Sequence, residues 1–359
     1  MSIHPKPKNT NNTANLRGFF LAGTAITPLH PGSGRSLGEV DLTIQRDPLG
    51  YPIVFASSIK GALKNLCIRK KASENLRYCV DKETGIAKCG DQNCEAINIC
   101  CCLFGSEIGG EESQQALISI LDFIPLALPL PSANEGYVYV STPLLLMKAS
   151  LIAEALGYEN ISKELSILAS SKDKEKKESS EKIVVTSPAV KEPRITDIAG
   201  STIKVVSLPS GDSNFKELKK LTQNLGGLAA NLLEKLLIVP DEVGPTILDR
   251  GLLRVTRIRI RKDRKTVAEG SLWTEEYIPS GTVFLGGILI TPTHNKNCDS
   301  VGIDTLNTKN TDIVSKVADE FKNIIGGNIF YFIVGGKETV GKGLVKTYVY
   351  GLNTENQVI

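Results

Sequence analysis

A loop near the start of the chain carries the residues best suited to acid–base or metal chemistry. The segment from Thr27 to Asp41 is rich in Gly, Pro and Ser, and it holds His30, one of only three histidines. Such a composition predicts neither helix nor strand. An imidazole and the Asp41 carboxylate on one loop suit proton transfer, or Mg²⁺ coordination at a phosphodiester. The competing interpretation is structural, since an aspartate at the end of a loop often caps a turn.

Six of the eight cysteines lie between residues 79 and 102. Cys79, Cys89, Cys94 and Cys100 are spaced so that four thiolates on short loops could hold a structural Zn²⁺. No CxxC pair is present, and no His or Glu is arranged to activate a catalytic zinc. Two alternatives stay open: buried apolar cysteines, and disulfides in an organism that lives at high temperature.

A glycine-rich turn, GGKETVGKG, lies near the end of the chain. Gly336, Gly341 and Lys342 have the spacing of a Walker A motif, but Gly343 stands where Mg²⁺ needs Ser or Thr, and a strand is predicted to follow. We therefore exclude an NTPase. The backbone N–H groups of the turn, with Lys337 and Lys342, suit contact with an anionic chain. Motifs of serine hydrolases, zinc proteases and dinucleotide enzymes are missing from the sequence.

The composition limits the classes of protein to consider. Among 359 residues, 42 are Lys or Arg and 39 are Asp or Glu, so the net charge of +3 excludes a histone-like basic tail. Aromatic residues make up 6%, which disfavours a binder built mainly on base stacking. No signal-peptide core and no run of eighteen apolar residues occurs. We expect a soluble, cytoplasmic protein with no membrane partner.

The apolar pattern predicts two elements that could position charged groups. A helix beginning at Ser57 or Ser58 buries a stripe that includes Ile59, and it places Lys60 and Lys64 on another face. Free N–H groups at its start would favour a phosphate.

The second element is a long hairpin, formed by LLRVTRIRI and TVAEGSLWTEEYI around RKDRK. Arg257, Arg259 and Arg261 lie on one of its faces, and Thr256, Ile258 and Ile260 lie on the other. We expect one face to be buried and the other to meet phosphates. Exposed charge that keeps the hairpin soluble explains the arginines equally well.

The remaining pattern predicts one domain over residues 17–359, preceded by a disordered tail at 1–16. A strand at Gly18–Ile26, strands at 116–123 and 136–142, a helix from Pro143 and a helical stripe from Asn214 to Leu237 are expected. The mixed-charge run at about 170–183 is expected to be an exposed linker. A final helix at 311–325 precedes two strands around the glycine turn.

Several of these motifs together resemble the RAMP superfamily of CRISPR proteins. Its opening signature, a loop followed by small residues, Lys, Gly and an amphipathic helix, is matched by TPLHPGSGRSLGEVDLTIQRDPLGYPIVFASSIKGALK. VTRIRIRKDRKTVAEGSLWTEEYIP, LFGSE and GGKETVGKGLV are similar to the Cas7-group backbone subunits of the type III-B (Cmr) effector complex. The resemblance extends from about Thr24 to Val349. The Cys-rich segment at about 78–102 and the charged linker depart from the compact family pattern.

The resemblance implies an α+β fold with a ferredoxin-like (RRM-like) core, insertions and a projecting thumb hairpin within residues 184–280. It implies copies that stack along a CRISPR RNA, contact other Cmr subunits, and cleave bound target RNA at regular intervals with Mg²⁺ or Mn²⁺. The family's cleavage site falls on four residues, Asp41, His30, Glu275 and Tyr277.

For guide binding we select residues of the predicted helix start and the glycine turn, namely Ser57, Ser58, Lys60, Lys64, Gly336, Lys337 and Lys342. Arg257 and Arg259 would grip the duplex or a neighbouring copy. Two alternatives remain: a scaffold that binds the guide without cutting, and, ranked last, a standalone enzyme that processes CRISPR RNA.

Overall fold

The structure is a computed structural model that describes residues 17–36, 38–71, 79, 88–89, 94–106, 113–170, 182–185, 194–198, 201–207 and 215–350. The tail at 1–16 and most of the charged linker lie outside these residues. Within the described ranges, no helix combines the length and apolar character needed to cross a bilayer.

Strands and helices are mixed along the chain, as the α+β prediction requires. The strands are β1 Gly18–Ala25, β2 Gly32–Arg35, β3 Leu42–Ile44, β4 Ile118–Ile120, β5 Ile124–Ser132, β6 Gly136–Ser141, β7 Lys182–Val185, β8 Arg194–Ile198, β9 Ser201–Ser207, β10 Leu236–Ile238, β11 Leu253–Ile260, β12 Val267–Tyr277, β13 Val283–Ile290, β14 Ile329–Ile333 and β15 Leu344–Tyr350. The helices are α1 Ala56–Lys71, α2 Glu95–Phe104, α3 Pro143–Ala155, α4 Glu159–Ser170, α5 Lys216–Leu225, α6 Gly244–Arg250, α7 Lys296–Asp299 and α8 Asn310–Ile325.

A large sheet divides the molecule into layers. In the described part of the chain it has eleven strands, with β14, β15, β1, β13 and β5 side by side. Alternate residues of β1 face opposite sides, as in any strand. Phe19 and Leu21 join the core that contains Ile59 of α1 and Phe321 of α8. Phe20, on the other side, joins the core under α3, α4 and α5.

The predicted hairpin is confirmed, and it forms a second, smaller sheet. β11 and β12 pair antiparallel from Leu253 opposite Tyr277 towards the turn. The order β11-β12-β3-β2 shows that the N-terminal loop is more regular than predicted. β3 pairs with the hairpin at Leu42 opposite Glu275, and the Gly- and Ser-containing strand β2 pairs with β3. The contact with the hairpin is long-range, so local composition does not indicate it.

Several predicted boundaries hold, and one fails. Strand β1 and helices α1 and α8 lie where expected. The single helical stripe predicted from Asn214 to Leu237 is wrong, because α5 ends before Gly226, whose φ of 67° is left-handed. A 3₁₀ turn at Gly227–Asn231 follows, and β10 then pairs with β6.

The cysteines correct the zinc prediction. All eight are paired, as Cys67–Cys100, Cys79–Cys94, Cys89–Cys101 and Cys102–Cys298. Consecutive helical residues point about 100° apart, so the three adjacent cysteines of α2 meet three different partners. The predicted zinc ligands Cys79, Cys89, Cys94 and Cys100 therefore keep no free thiolate. The described residues contain no group of three metal-ligating side chains.

Candidate functional site

Strand pairing brings the N-terminal loop to the base of the hairpin. Leu29 and Ile278 exchange two backbone hydrogen bonds of 2.9 Å, and Leu42 pairs with Glu275. This register places all four predicted cleavage residues in one region, which we call the loop–hairpin junction (residues 28–36, 38–46 and 273–278). Their proximity depends on pairings between segments more than two hundred residues apart.

Asp41 is the exposed one of these four residues. One carboxylate oxygen accepts a 2.7 Å hydrogen bond from the backbone N–H of Thr274 on β12. For the other oxygen, the described residues offer no hydrogen-bond partner. Asp41 therefore anchors its loop to the hairpin and still presents an oxygen to solvent, where it could reach a bound molecule.

His30 is buried, with 6% of its surface exposed. Its Nδ1 lies 2.7 Å from the backbone carbonyl of Glu276. Because a carbonyl only accepts, Nδ1 must carry the hydrogen, which leaves Nε2 with the lone pair when the ring is neutral. The ring also packs against Tyr277, with 5.4 Å between centroids.

Glu275 is a buried carboxylate, 3% exposed, that collects donors from three segments. Lys337 Nζ lies at 2.6 Å, Trp273 Nε1 at 2.7 Å and Arg257 Nε at 3.3 Å, and the Tyr277 hydroxyl donates to it as well. Burial would raise the pKa of this carboxyl, but the hydrogen bonds from Lys337, Tyr277 and Trp273 outweigh burial and lower the pKa to about 2. Glu275 is therefore a permanent anion at neutral pH.

Tyr277 has no exposed surface. Its burial, and then its hydrogen bond to Glu275, raise the pKa of the hydroxyl. The Lys342 ammonium lies 5.3 Å from the ring centroid, within the range of a cation–π contact. Tyr277, Glu275 and His30 thus lack the exposure that contact with a substrate requires, and we assign them as positioning residues rather than catalytic ones.

The next residue, Glu276, supports the opposite side of the hairpin, and the sequence analysis missed it. It accepts from Arg46 at 2.8 Å and Arg254 at 3.1 Å, and both arginines also bind Asp249. The backbone N–H of Ile44 donates to the same carboxylate. Consecutive residues of a strand face opposite ways, so the Glu-Glu pair was the signal for two separate networks.

The glycine turn packs against both the loop and the hairpin at the junction. The N–H of Gly336 donates to the carbonyl of His30 at 2.8 Å. A Cβ on Gly335, whose φ is 86°, would lie 2.6 Å from that carbonyl oxygen, so only glycine fits. Lys337, itself at φ 68°, then reaches Glu275. The turn is therefore fixed to both the loop and the hairpin.

Comparison with known proteins identifies the family of the chain. The RAMP superfamily profile matches residues 23–346. The chain belongs to the RAMP superfamily. It is 30% identical over 337 residues to the CRISPR system Cmr endoribonuclease Cmr4 of Pyrococcus furiosus, covering 92% of this chain and 95% of that protein. It is 29% identical over 346 residues to the CRISPR system CMR subunit Cmr4 of Saccharolobus solfataricus, with the same coverage.

Solved structures show the same similarity in three dimensions. The apo type III-B Cmr-beta complex contains a chain with a TM-score of 0.64 and 26% identity, covering 96% of this RAMP protein and 99% of that chain. Cmr-beta bound to cognate target RNA contains one with a TM-score of 0.61 and 25% identity, at 93% and 98% coverage.

The start of α1 in this RAMP protein differs from the prediction. The Asp122 carboxylate already accepts the N–H of Ala56 at 2.6 Å, so it compensates the positive helix end that was expected to meet phosphate. Ser57 is exposed and Ser58 half-buried. Lys64, expected on an exposed face, is only 8% exposed.

Lys60 keeps partial exposure beside that buried lysine. Burial and the nearby Lys64 ammonium both lower the pKa of Lys60. Two neighbouring ammonium groups favour an anion between or above them. On the hairpin, Arg259 is exposed, whereas Arg257 shares Glu275 with Lys337.

Proposed function

We propose that this RAMP protein is a backbone subunit of a type III-B CRISPR (Cmr) complex that binds CRISPR RNA and cleaves bound target RNA. The Pyrococcus relative is a Cmr endoribonuclease, and a structural neighbour belongs to a complex bound to cognate target RNA. The observation that carries the proposal is the exposed Asp41 carboxylate, fixed at a junction built by three cation-bearing segments. Antiviral defence in the cytoplasm, beside other Cmr subunits, is the corresponding setting.

The core follows the ferredoxin-like pattern under this proposal. The connection through α1 leads from β1 to β5, and β13 lies between them, antiparallel to both. The connection through α8 leads from β13 to β15, and β1 lies between that pair, again antiparallel. Two split βαβ units of this kind support an RRM-like core. The β11–β12 hairpin would be the thumb.

The thumb would lie between stacked copies and contact the next one. Its far end exposes four aliphatic side chains, which pair across the strands as Ile258 with Leu272 and Ile260 with Val267. The face expected to be buried is therefore open in the single chain. A second copy, bound next along the guide, would cover it.

Cleavage needs a group that accepts a proton and groups that stabilise negative charge. An RNA linkage breaks when its 2′-oxygen loses a proton and attacks the phosphorus in line, which a splayed nucleotide permits. The bond from phosphorus to the 5′-oxygen then breaks, which leaves a 2′,3′-cyclic phosphate and a 5′-hydroxyl that takes its proton from water. Asp41, with one free oxygen, would accept that proton directly or through water. Arg257, Arg259 and Lys342 would offset the charge that develops on the phosphate.

A divalent cation, Mg²⁺ or Mn²⁺, fits only as an ion shared with the RNA. Asp41 offers a single carboxylate oxygen, and both Glu275 oxygens already accept from donors. Mg²⁺ often binds through one carboxylate plus substrate phosphates and waters, so this donor set is sufficient. Once bound, the ion would stabilise negative charge on the phosphate.

Guide binding would use the cations around α1 and the glycine turn. Lys60, which keeps partial exposure, would hold a phosphate, since an anion relieves its repulsion with the buried Lys64 ammonium. Ser57, Ser58, Lys337 and Lys342 would add donors on either side. Gly336, whose N–H donates to His30, would hold the turn that presents the two lysines. Reversing Lys60 to Glu should abolish guide binding in a filter assay, and unchanged binding would remove α1 from this role.

The decisive variant is Asp41→Ala in the reconstituted, guide-loaded complex. Cleavage of complementary RNA at the regular sites should fall about a hundredfold or more, the usual contribution of a positioned acid or base. Guide and target affinities should stay unchanged. Glu39→Ala, two residues away on the same exposed loop, is the matched control and should cut normally.

The scaffold alternative gives the opposite result. If the Asp41 carboxylate only ties its loop to Thr274, the Asp41→Asn variant, which can still accept that hydrogen bond through its amide oxygen, should cut as well as the wild type. Retained cutting by Asp41→Asn and Asp41→Ala would leave a non-catalytic filament protein.

A further inference from the structure

The only tryptophan of the chain lies in an unusual place. Trp273 is half-buried on β12, directly across from Arg257 on β11. It is absent from the apolar side chains that pack against any core cluster of the described residues. Tryptophan usually contributes most through core burial, so its position among charged groups calls for another explanation.

The indole is held in one orientation. Its Nε1–H donates to Glu275 Oε1 at 2.7 Å, which turns the polar edge inward towards the buried carboxylate. The Glu275 carboxylate is in turn fixed by Lys337 and Arg257. The side chain therefore pays little additional ordering entropy on binding, because its rotamer is already fixed.

The surrounding charge is positive. On this face of the hairpin, Arg257 lies directly across from Trp273, and Lys337 approaches from the glycine turn. Arg259 is exposed two residues further along β11, at the irregularity in strand pairing between Ile258 and Ile260. Glu275 is the single buried anion that these groups share. A fixed aromatic ring among excess cations matches the chemistry of a nucleotide, with a π-face for the base and donors for the phosphate.

We propose that Trp273 is a stacking platform for one unpaired base of the bound RNA, with Arg257 and Arg259 on the adjoining phosphates. This inference rests on the proposed RNA-binding function and adds its base-contacting residue. The base must be unpaired and displaced, because neighbouring bases cover both faces of a base within an A-form duplex. Trp273 thus selects the splayed nucleotide next to Asp41, whose anchor is the backbone N–H of the following residue, Thr274.

Fluorescence tests the contact directly, since emission excited at the red edge of the indole band comes from Trp273 alone. Titrating the full-length chain with a single-stranded RNA oligomer should quench that emission in step with binding, measured separately by anisotropy of a labelled RNA. A matched sugar–phosphate oligomer without bases should bind through phosphates and leave the emission unchanged. Binding of the complete RNA without quenching would overturn the stacking inference and leave RNA binding intact. Failure to bind RNA at all would overturn both.

Two substitutions separate stacking from support of Glu275. Trp273→Phe keeps a π-face and loses the N–H donor, whereas Trp273→Leu loses both. Stacking predicts that the Leu variant binds single-stranded RNA about tenfold more weakly or worse, while the Phe variant stays within about threefold of the wild type. Equal losses in both variants would show that the hydrogen bond to Glu275 is the whole role, and would overturn the proposal. Equal affinities in all three proteins would overturn it too.

Discussion

Two neighbouring glutamates of β12 illustrate how single residues divide the work at the junction. The Glu275 side chain contacts the glycine turn and the tryptophan, and the Glu276 side chain contacts Arg46 and Arg254 on the other side. Neither carboxylate is exposed. Each holds cations in place, which leaves Asp41 as the exposed carboxylate of the three and the one that we propose acts on RNA.

The depressed pKa of Glu275 makes a prediction about stability and pH. A carboxylate with a folded pKa near 2 and an ordinary value of 4.5 stabilises the fold above pH 4.5, and this contribution is lost as the pH falls towards 2. Glu275→Gln should lower stability at pH 7 by about 2 kcal/mol, since charged hydrogen bonds are lost. Its melting temperature should also fall less steeply between pH 4.5 and pH 2.

The matched control for this experiment is Glu338→Gln on the same turn. Glu338 forms an exposed 3.5 Å ion pair with Arg69, which should contribute little. Thermal denaturation followed by circular dichroism measures all three proteins. Identical pH profiles for Glu275→Gln and the wild type would contradict the buried-anion account.

At the scale of elements, the local residue pattern predicted individual helices and strands, but it did not predict which distant segments pair. The hairpin, α1, α8 and the strand after the glycine turn follow from periodicity alone. Periodicity did not predict that the N-terminal loop pairs with the hairpin, because that contact joins segments far apart in sequence. The same limit applies to the site: residue types suggested Asp41 and His30, but burial of His30 and Lys64 is a tertiary property.

The disulfides link separate helices and loops, and their removal should lower the stability of the fold more than any other change at this scale. Cys102–Cys298 spans a sequence separation of 196, against 15 for Cys79–Cys94. By loop-closure entropy, the long bridge is worth about 5 kcal/mol and the short one about 3 kcal/mol. Replacing Cys102 and Cys298 by Ala should therefore lower the melting temperature more than replacing Cys79 and Cys94.

Thiol titration and metal analysis check the pairing itself. The native protein should contain no zinc, and after denaturation without a reductant it should show no reactive thiol. One zinc per chain with reactive Cys79, Cys89, Cys94 and Cys100 would instead restore the zinc interpretation and contradict the disulfide pattern.

At the scale of the whole molecule, the hairpin carries two chemically different faces. The face with Trp273 and the arginines belongs to the junction, while the face with Ile258 and Leu272 exposes about half or more of each side chain, 48% and 66%. A single chain gains nothing from the second face. Stacked copies would bury it repeatedly along the guide.

This arrangement predicts the effect of an Ile258→Ser, Leu272→Ser double variant. The free energy of unfolding of the isolated chain should change by no more than about 0.5 kcal/mol per site, as is usual for surface substitutions. Ordered assembly on guide RNA, followed by sedimentation velocity, should weaken by about tenfold or more. Leu306→Ser, at an equally exposed aliphatic residue between α7 and α8, is the control and should assemble normally. Normal assembly of the double variant would show that this face is not the contact between copies.

The most direct test of the account is a structure of the assembled complex with a complementary target that cannot be cleaved because its 2′-hydroxyls are absent. We predict that the Asp41 carboxylate of each copy lies within direct or water-mediated hydrogen-bonding distance of one target linkage, beside a displaced nucleotide. Asp41 remote from every target linkage in all copies would contradict the assignment of this chain as the cleaving subunit.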